Sequence, residues 1–205
     1  MSKEVFGYYQ EIPEELRSLF QILCQDIASL SAKWHLYLDL FTDVDILNKT
    51  APGAFQMIEE SLRTDMTIST CRLRDPAARG MFRYLSFKTL ERQARHIQGL
   101  RELLNNFRII SRPISYYRHK RIAHNDPATI LEPRENPLPS ITPKTINDSL
   151  EAGAKILNHL LQFYNGPTID FERVIVFGSG KKLIKWLKRA WRHYEEEQKA
   201  LTKGK

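Results

Sequence analysis

The 205-residue sequence predicts an all-α fold: an antiparallel bundle of four to five main helices, with a basic helix near the carboxy-terminal end. Three observations lead there. Apolar residues recur at steps of three and four through most of the chain, which is helical spacing. Prolines mark the boundaries between these stretches. Only Arg173–Phe177 has the β-branched, apolar character of a strand, and nothing obvious could pair with it.

Pro13-Glu14-Glu15 opens the first helix, with proline and acids where a first turn favours them. Leu16, Leu19, Phe20, Leu23, Ile27, Leu30, Trp34, Leu38 and Phe41 then form one stripe over about seven turns. Thr42-Asp43 ends or bends it. A second helix is predicted from Pro52 through Phe55, Ile58, Leu62, Met66 and Leu73. Asp75-Pro76 stops it, because the residue before a proline is pushed out of helical geometry, and Gly80 marks the connection. A third helix follows Ser86 as N-cap, with Leu90, Ala94, Ile97, Leu100 and Leu104 inward. Ser111-Arg112-Pro113 is a fresh start, Ser111 capping, with Ile114, Tyr117 and Ile122 as an inner face. The proline-rich span from Asn125 to Pro143 has no helical period and is predicted to be a long irregular connection. Thr142-Pro143 opens a helix with Ile146, Leu150, Ile156, Leu157, Leu160, Leu161 and Tyr164 buried, closed by Asn165-Gly166-Pro167. After Gly178-Ser179-Gly180 a last helix carries Leu183, Ile184, Leu187, Ala190, Trp191 and Tyr194 on one side. Lysines and arginines occupy the other. Residues 1–166 are thus expected to form the helical bundle and 167–205 an extension with the basic amphipathic helix, together in one compact unit.

Apolar residues at 42% and charged residues at 27% describe an ordinary globular chain and exclude a disordered one. No apolar run approaches the roughly 18 residues of a membrane span. The start, Met-Ser-Lys-Glu-Val-Phe, lacks the apolar core of a secretory signal, so a cytoplasmic location is expected. Cys24 and Cys71 lie in apolar periodic segments and are expected to be buried thiols. The net charge of +7 is uneven. Lys181–Lys205 has nine Lys/Arg against three Glu, and Glu91–His124 has eight against two. Two basic blocks on a mildly acidic remainder point to a polyanionic partner.

Several motifs weaken on inspection. Gly178-Ser179-Gly180-Lys181-Lys182 lacks the spacing and the Lys-Ser/Thr pair of a phosphate-binding loop, and no pair of metal-binding acids follows it, so it is expected to be a turn and cap. Asp43, Asp45 and Asp75 sit near helix ends, where aspartate caps, and no metal site or cofactor is expected. The basic face of the last helix, including Lys181, Lys182 and Lys185, is open to nucleic acid, an anionic surface or solvent.

The densest chemistry lies in Tyr116–Asp126, where Arg118–His124 holds three cations and two imidazoles in seven residues. An arginine fork grips phosphate at two points and neutralises charge building up during phosphoryl transfer. A histidine titrating near neutrality takes a proton from a ribose 2′-hydroxyl or returns one to a leaving oxygen. Together they suffice for metal-free RNA cleavage. On a continuous α-helix, however, Arg118 and His124 would stand about 120° apart around the axis and about 9 Å apart along it. A long substrate or a second copy of the chain would have to bridge them. Arg121, three before His124, falls on the same face, and Lys120 and Asn125 lie alongside. The alternative is a solvated helix end, where cations favour the C-terminal dipole.

Arg118-His119-Lys120-Arg121-Ile122-Ala123-His124 resembles the signature of the HEPN superfamily (higher eukaryotes and prokaryotes nucleotide-binding domains). That signature is an arginine, usually a polar residue after it, and a histidine five to seven positions beyond the arginine. Arg-x-Lys-Arg-Ile-Ala-His-Asn-Asp, together with Arg72-Leu73-Arg74-Asp75-Pro76 and Leu85-Ser86 upstream, is similar to the abortive-infection branch. The resemblance covers roughly residues 10–165. It implies a helical bundle that forms a homodimer, with the motifs of two subunits lining one cleft, and a metal-independent endoribonuclease acting as a toxin or phage-defence effector, often beside an antitoxin protein. In that frame His124 is the general base or acid, Arg118 binds phosphate and His119 is a supporting polar residue. Arg121 and Asn125 are added as supporting residues from local geometry, and Lys120, Lys181, Lys182 and Lys185 as RNA contacts from their charge. The alternative of the same fold is a non-catalytic RNA- or nucleotide-binding or protein-interaction module.

Overall fold

The stripe from Leu16 to Phe41 folds as one helix, α1 (Glu14–Phe41), in a computed structural model that describes residues 9–124, 126–173 and 179–203. Thr42-Asp43 ends it. The Asp43 carboxylate then accepts from the Ile46 N–H at 3.4 Å and caps a short helix, α2 (Val44–Thr50). Helix α3 (Pro52–Arg74) stops before Asp75-Pro76, as the proline dictates. Gly80, at φ +60°, turns a two-stranded hairpin of β1 (Ala78–Arg79) and β2 (Phe82–Arg83). This hairpin is the only sheet among the described residues, and the architecture is all-α.

The predicted third helix is two helices. Ser86 caps α4 (Phe87–Gln93), its hydroxyl accepting from Thr89 N–H at 3.4 Å, and α5 (Leu100–Ile110) begins after Gly99 at φ +80°. Ala94 and Ile97, expected inside one helix, lie in the break, yet both are buried. Burial of a connecting turn thus imitates helical periodicity. Helix α6 (Arg112–Tyr117) starts at Ser111, but Ser111 does not cap it. Its hydroxyl turns back to Phe107 O at 2.5 Å and receives Arg74 Nη1 at 2.6 Å.

The proline-rich connection contains a short helix, α7 (Pro127–Leu131), capped by Asp126 with proline in its first turn. Helix α8 (Pro143–Phe163) opens on a Thr142 cap. It closes with Asn165 at φ +56°, the Asn165 N–H on Gln162 O and the Gly166 N–H on Leu161 O. That pairing satisfies the last carbonyls of the helix. The final helix is α9 (Gly180–Lys203). The strand-like stretch Val174–Phe177, with Gly178, lies outside the described residues.

The chain divides into two units, Met1–Ser31 with Met66–Val174, and Ala32–Asp65 with Ile175–Lys205. In the first, Phe20, Leu23, Ile27, Leu90, Phe107, Ile156, Leu157 and Leu160 form a fully enclosed core. A Cβ on Gly153 would meet Ile27 Cδ1 at 2.5 Å, so α8 lies tightly against α1 there. Cys24 and Cys71 are buried free thiols. In the second unit, Ile184, Leu187 and Trp191 of α9 pack on Ile46, Leu47 and Phe55. The apolar face of α9 is narrower than predicted: Leu183 and Tyr194 remain exposed. Asp39 takes the N-terminal end of α9 through Lys181 N–H at 3.4 Å, and Lys188 pairs with Asp43. The start of α9 is therefore a packed helix start, since a Cβ on Gly180 would meet Asp39 Cβ at 2.7 Å. Among the described residues no helix is long and apolar enough to cross a membrane.

Candidate active site

Helices α5 and α6 lead directly into the motif. Buried Ile114 anchors α6, Tyr117 and Ile122 are half-buried, and Arg118–Ala123 winds as a π-helical turn ending at His124. Hydrogen bonding from i to i+5 makes residues five apart neighbours, as residues four apart are on an α-helix. The result is specific: the rings of His119 and His124 meet edge to face, centroids 4.8 Å apart and planes at 75°. On an α-helix they would point about 140° apart.

Asp126 holds the turn in this shape. Its N–H donates to Lys120 O at 2.9 Å, and its carboxylate takes Lys120 Nζ at 2.8 Å. The other carboxylate oxygen accepts from the Thr129 N–H at 3.2 Å and hydroxyl at 2.9 Å, which fixes the start of α7. Lys120 is thereby engaged within the chain. The Lys120 hydrogen bond, then Thr129, holds the Asp126 carboxyl below its usual range, and the same bond holds the Lys120 ammonium above its own. A depressed carboxyl adds stability above its unfolded pKa of about 4, lost as pH falls through the folded value. A raised ammonium adds stability below about pH 10, lost as pH rises through the folded value. The clamp is whole between those limits. Asp126→Asn is therefore expected to lower the urea midpoint modestly at neutral pH, with the gap to the wild type closing as pH falls below about 4. A gap unchanged down to about pH 2 would contradict the clamp.

Arg118, half-buried at the start of the turn, faces the end of α3. Burial pushes the Asp75 carboxyl up, and the charges of Arg118 and Arg72 draw it back. Burial likewise raises the Cys71 thiol against the pull of Arg118 and Arg74. Asp75, which the sequence presents only as a helix-end residue, is thus an electrostatic neighbour of the motif arginine. Its place in Arg72-Leu73-Arg74-Asp75-Pro76 is the signal that points to it. Asp126 is harder to find from sequence, because it lies beyond the motif, six residues after the lysine it holds.

The turn brings together His119 with His124 and Lys120 with Asp126. It joins neither Arg118 nor Arg121 to His124 by any hydrogen bond or ion pair among the described residues. Arg121, His119 and His124 are exposed, and Asn125 lies outside the described residues. Of the cations on α9, Lys181 pairs with Asp39 at 3.6 Å and Lys182 lies 5.1 Å over the Trp186 ring, while Lys185 is exposed.

A family model, HEPN_AbiU2 (described as AbiU2), matches residues 13–183 and takes in the whole of the Arg118–His124 turn. The chain belongs to this family. It is a HEPN protein of the abortive-infection class. The AbiU2 match begins just before α1 and ends at Leu183, in the first turn of α9, so it runs beyond the roughly 10–165 that the motif resemblance covers. No curated protein and no solved structure matches the chain.

Proposed function

We propose that this AbiU2-family chain is a metal-independent endoribonuclease, a toxin or phage-defence effector restrained by an antitoxin protein, whose active site forms when two subunits bring their π turns to one cleft. The pairing of His119 and His124 at the exposed end of the turn, with Arg118 at its start, carries the reading. π turns of this kind occur frequently at functional sites.

The chemistry balances without a cofactor. His124 takes the proton of a ribose 2′-hydroxyl, and the 2′-oxygen attacks the adjacent phosphorus. The bond from phosphorus to the 5′-oxygen breaks, leaving a 2′,3′-cyclic phosphate, and a water protonates the departing 5′-oxygen, its hydroxide then taking the proton that His124 carries. Arg118 binds the phosphate and offsets the charge that builds on its oxygens. His119 fixes the orientation of the His124 ring. In this reading the arginine of one subunit serves the histidine of the other across the cleft.

The test is cleavage of single-stranded RNA in EDTA by the dimeric protein, and its loss in His124→Ala. A second reading, a non-catalytic RNA-binding or protein-interaction module, draws on α9, where Lys185 and Trp186 are exposed. It predicts salt-sensitive RNA binding without cleavage, indifferent to His124.

A further inference from the structure

Between α4 and α5 run two adjoining pockets, of about 220 and 490 Å³, which share Lys88 and Glu91 in their walls. Leu73, Phe87, Leu104 and Phe107 line the first, and Ala94, Ile97 and Leu100 the second. Cations stand around this apolar lining: Arg74, Lys88, Arg92, Arg95, Arg101 and Arg108. The one acid in these walls, Glu91, is already paired with Lys88 at 2.5 Å. Arg92, Arg95, Arg101 and Arg108 are exposed and have no ion pair among the described residues. Arg101 and Arg108 lie two turns apart on one face of α5, about 10 Å along its axis. Arg74 is half-buried, donates to Arg108 O and Ser111 Oγ, and has Arg108 and Arg112 as neighbouring charges. A surplus of unpaired cations beside a half-buried guanidinium is a surface that an anion relieves.

We propose that this α4–α5 groove is a phosphate-binding track that holds single-stranded RNA beside the Arg118–His124 turn. One end of the groove lies towards the turn. Arg74 lines it, the next residue, Asp75, is the electrostatic neighbour of Arg118, and α5 leads through α6 into the motif. Phosphates run along the exposed arginines, and the buried apolar residues beneath hold α4 and α5 in place under them. The choice of RNA rests on the nuclease reading; the anion-binding character rests on the groove alone.

The test uses the full chain carrying His124→Ala, so that RNA stays intact, and a labelled unstructured RNA of about 20 nucleotides in EDTA. Fluorescence anisotropy is read across a salt series. Arg92→Gln/Arg95→Gln/Arg101→Gln is expected to weaken binding about tenfold or more and to lower the log–log salt slope by about 2, as three lost single-strand phosphate contacts require. The control, Arg63→Gln/Lys144→Gln/Lys155→Gln, removes equal charge from residues already paired with Glu59, Asp148 and Glu151. It is expected to stay within about twofold of the parent. Parent-like binding by the groove variant, or an equal loss in the control, overturns the track. A wild-type chain that binds through the groove but leaves RNA uncut removes the nuclease reading and leaves the track standing.

Discussion

His124→Ala is expected to lower RNA cleavage in EDTA by about 10²- to 10⁴-fold, the range that a positioned general acid or base contributes. The side chain is exposed and makes a ring contact with His119 but no hydrogen bond among the described residues, so its removal leaves the core intact. Loss of activity therefore comes without loss of fold, and circular dichroism and the oligomeric state should match the wild type. His119→Ala is expected to cost less, because it removes the neighbour that orients the ring. Comparable cleavage by wild type and His124→Ala would dismiss the catalytic assignment.

Phe107→Ala carries the largest expected effect on stability, about 3–5 kcal/mol for deleting a fully buried aromatic side chain. Phe107 is 1% exposed and meets the Phe87 ring edge to face at 4.9 Å, tying α5 to α4. Its carbonyl accepts the Ser111 hydroxyl that in turn receives Arg74, so the packing beneath the groove and the polar contacts at its edge share one residue. Against the roughly 5–15 kcal/mol typical of a whole domain, such a loss is a large fraction. Phe107→Leu, which keeps most of the volume, is expected to stay within about 1.5 kcal/mol. Urea unfolding measures both. A loss under about 1 kcal/mol in Phe107→Ala would mean that this contact does not hold the two helices together.

The long helices are legible in the sequence because their signals are local. The Leu16–Phe41 stripe, the Pro52 start and Asp75-Pro76 stop, the Ser86 and Thr142 caps and the Asn165-Gly166 close each act within a few residues. The break at Ala94–Gly99 is hidden, because Ala94 and Ile97 are buried by tertiary packing and so keep the period of a helix. Ser111 resembles a cap in sequence, but its partners, Arg74 and Phe107, are set by the fold. At the motif, residue types convey the chemistry, while the spacing on its own implies α-helical geometry. The π turn changes which residues meet, pairing His124 with His119, and depends on Asp126 and Lys120 closing around it. The groove is legible only in part: Arg92, Arg95, Arg101 and Arg108 belong to the basic Glu91–His124 block, but Arg74 and Lys88 join them, and the pockets form, only on folding.

The claim that each chain holds half a site is tested most directly by mixing two inactive variants, Arg118→Ala and His124→Ala, under conditions that exchange subunits. The mixed dimer contains one intact arginine and one intact histidine facing each other. Cleavage in EDTA is expected to return on mixing, in proportion to the mixed dimer formed. Mixed dimers that form and leave RNA uncut, or a wild-type monomer that cuts as fast as the dimer, would contradict a site shared between two copies.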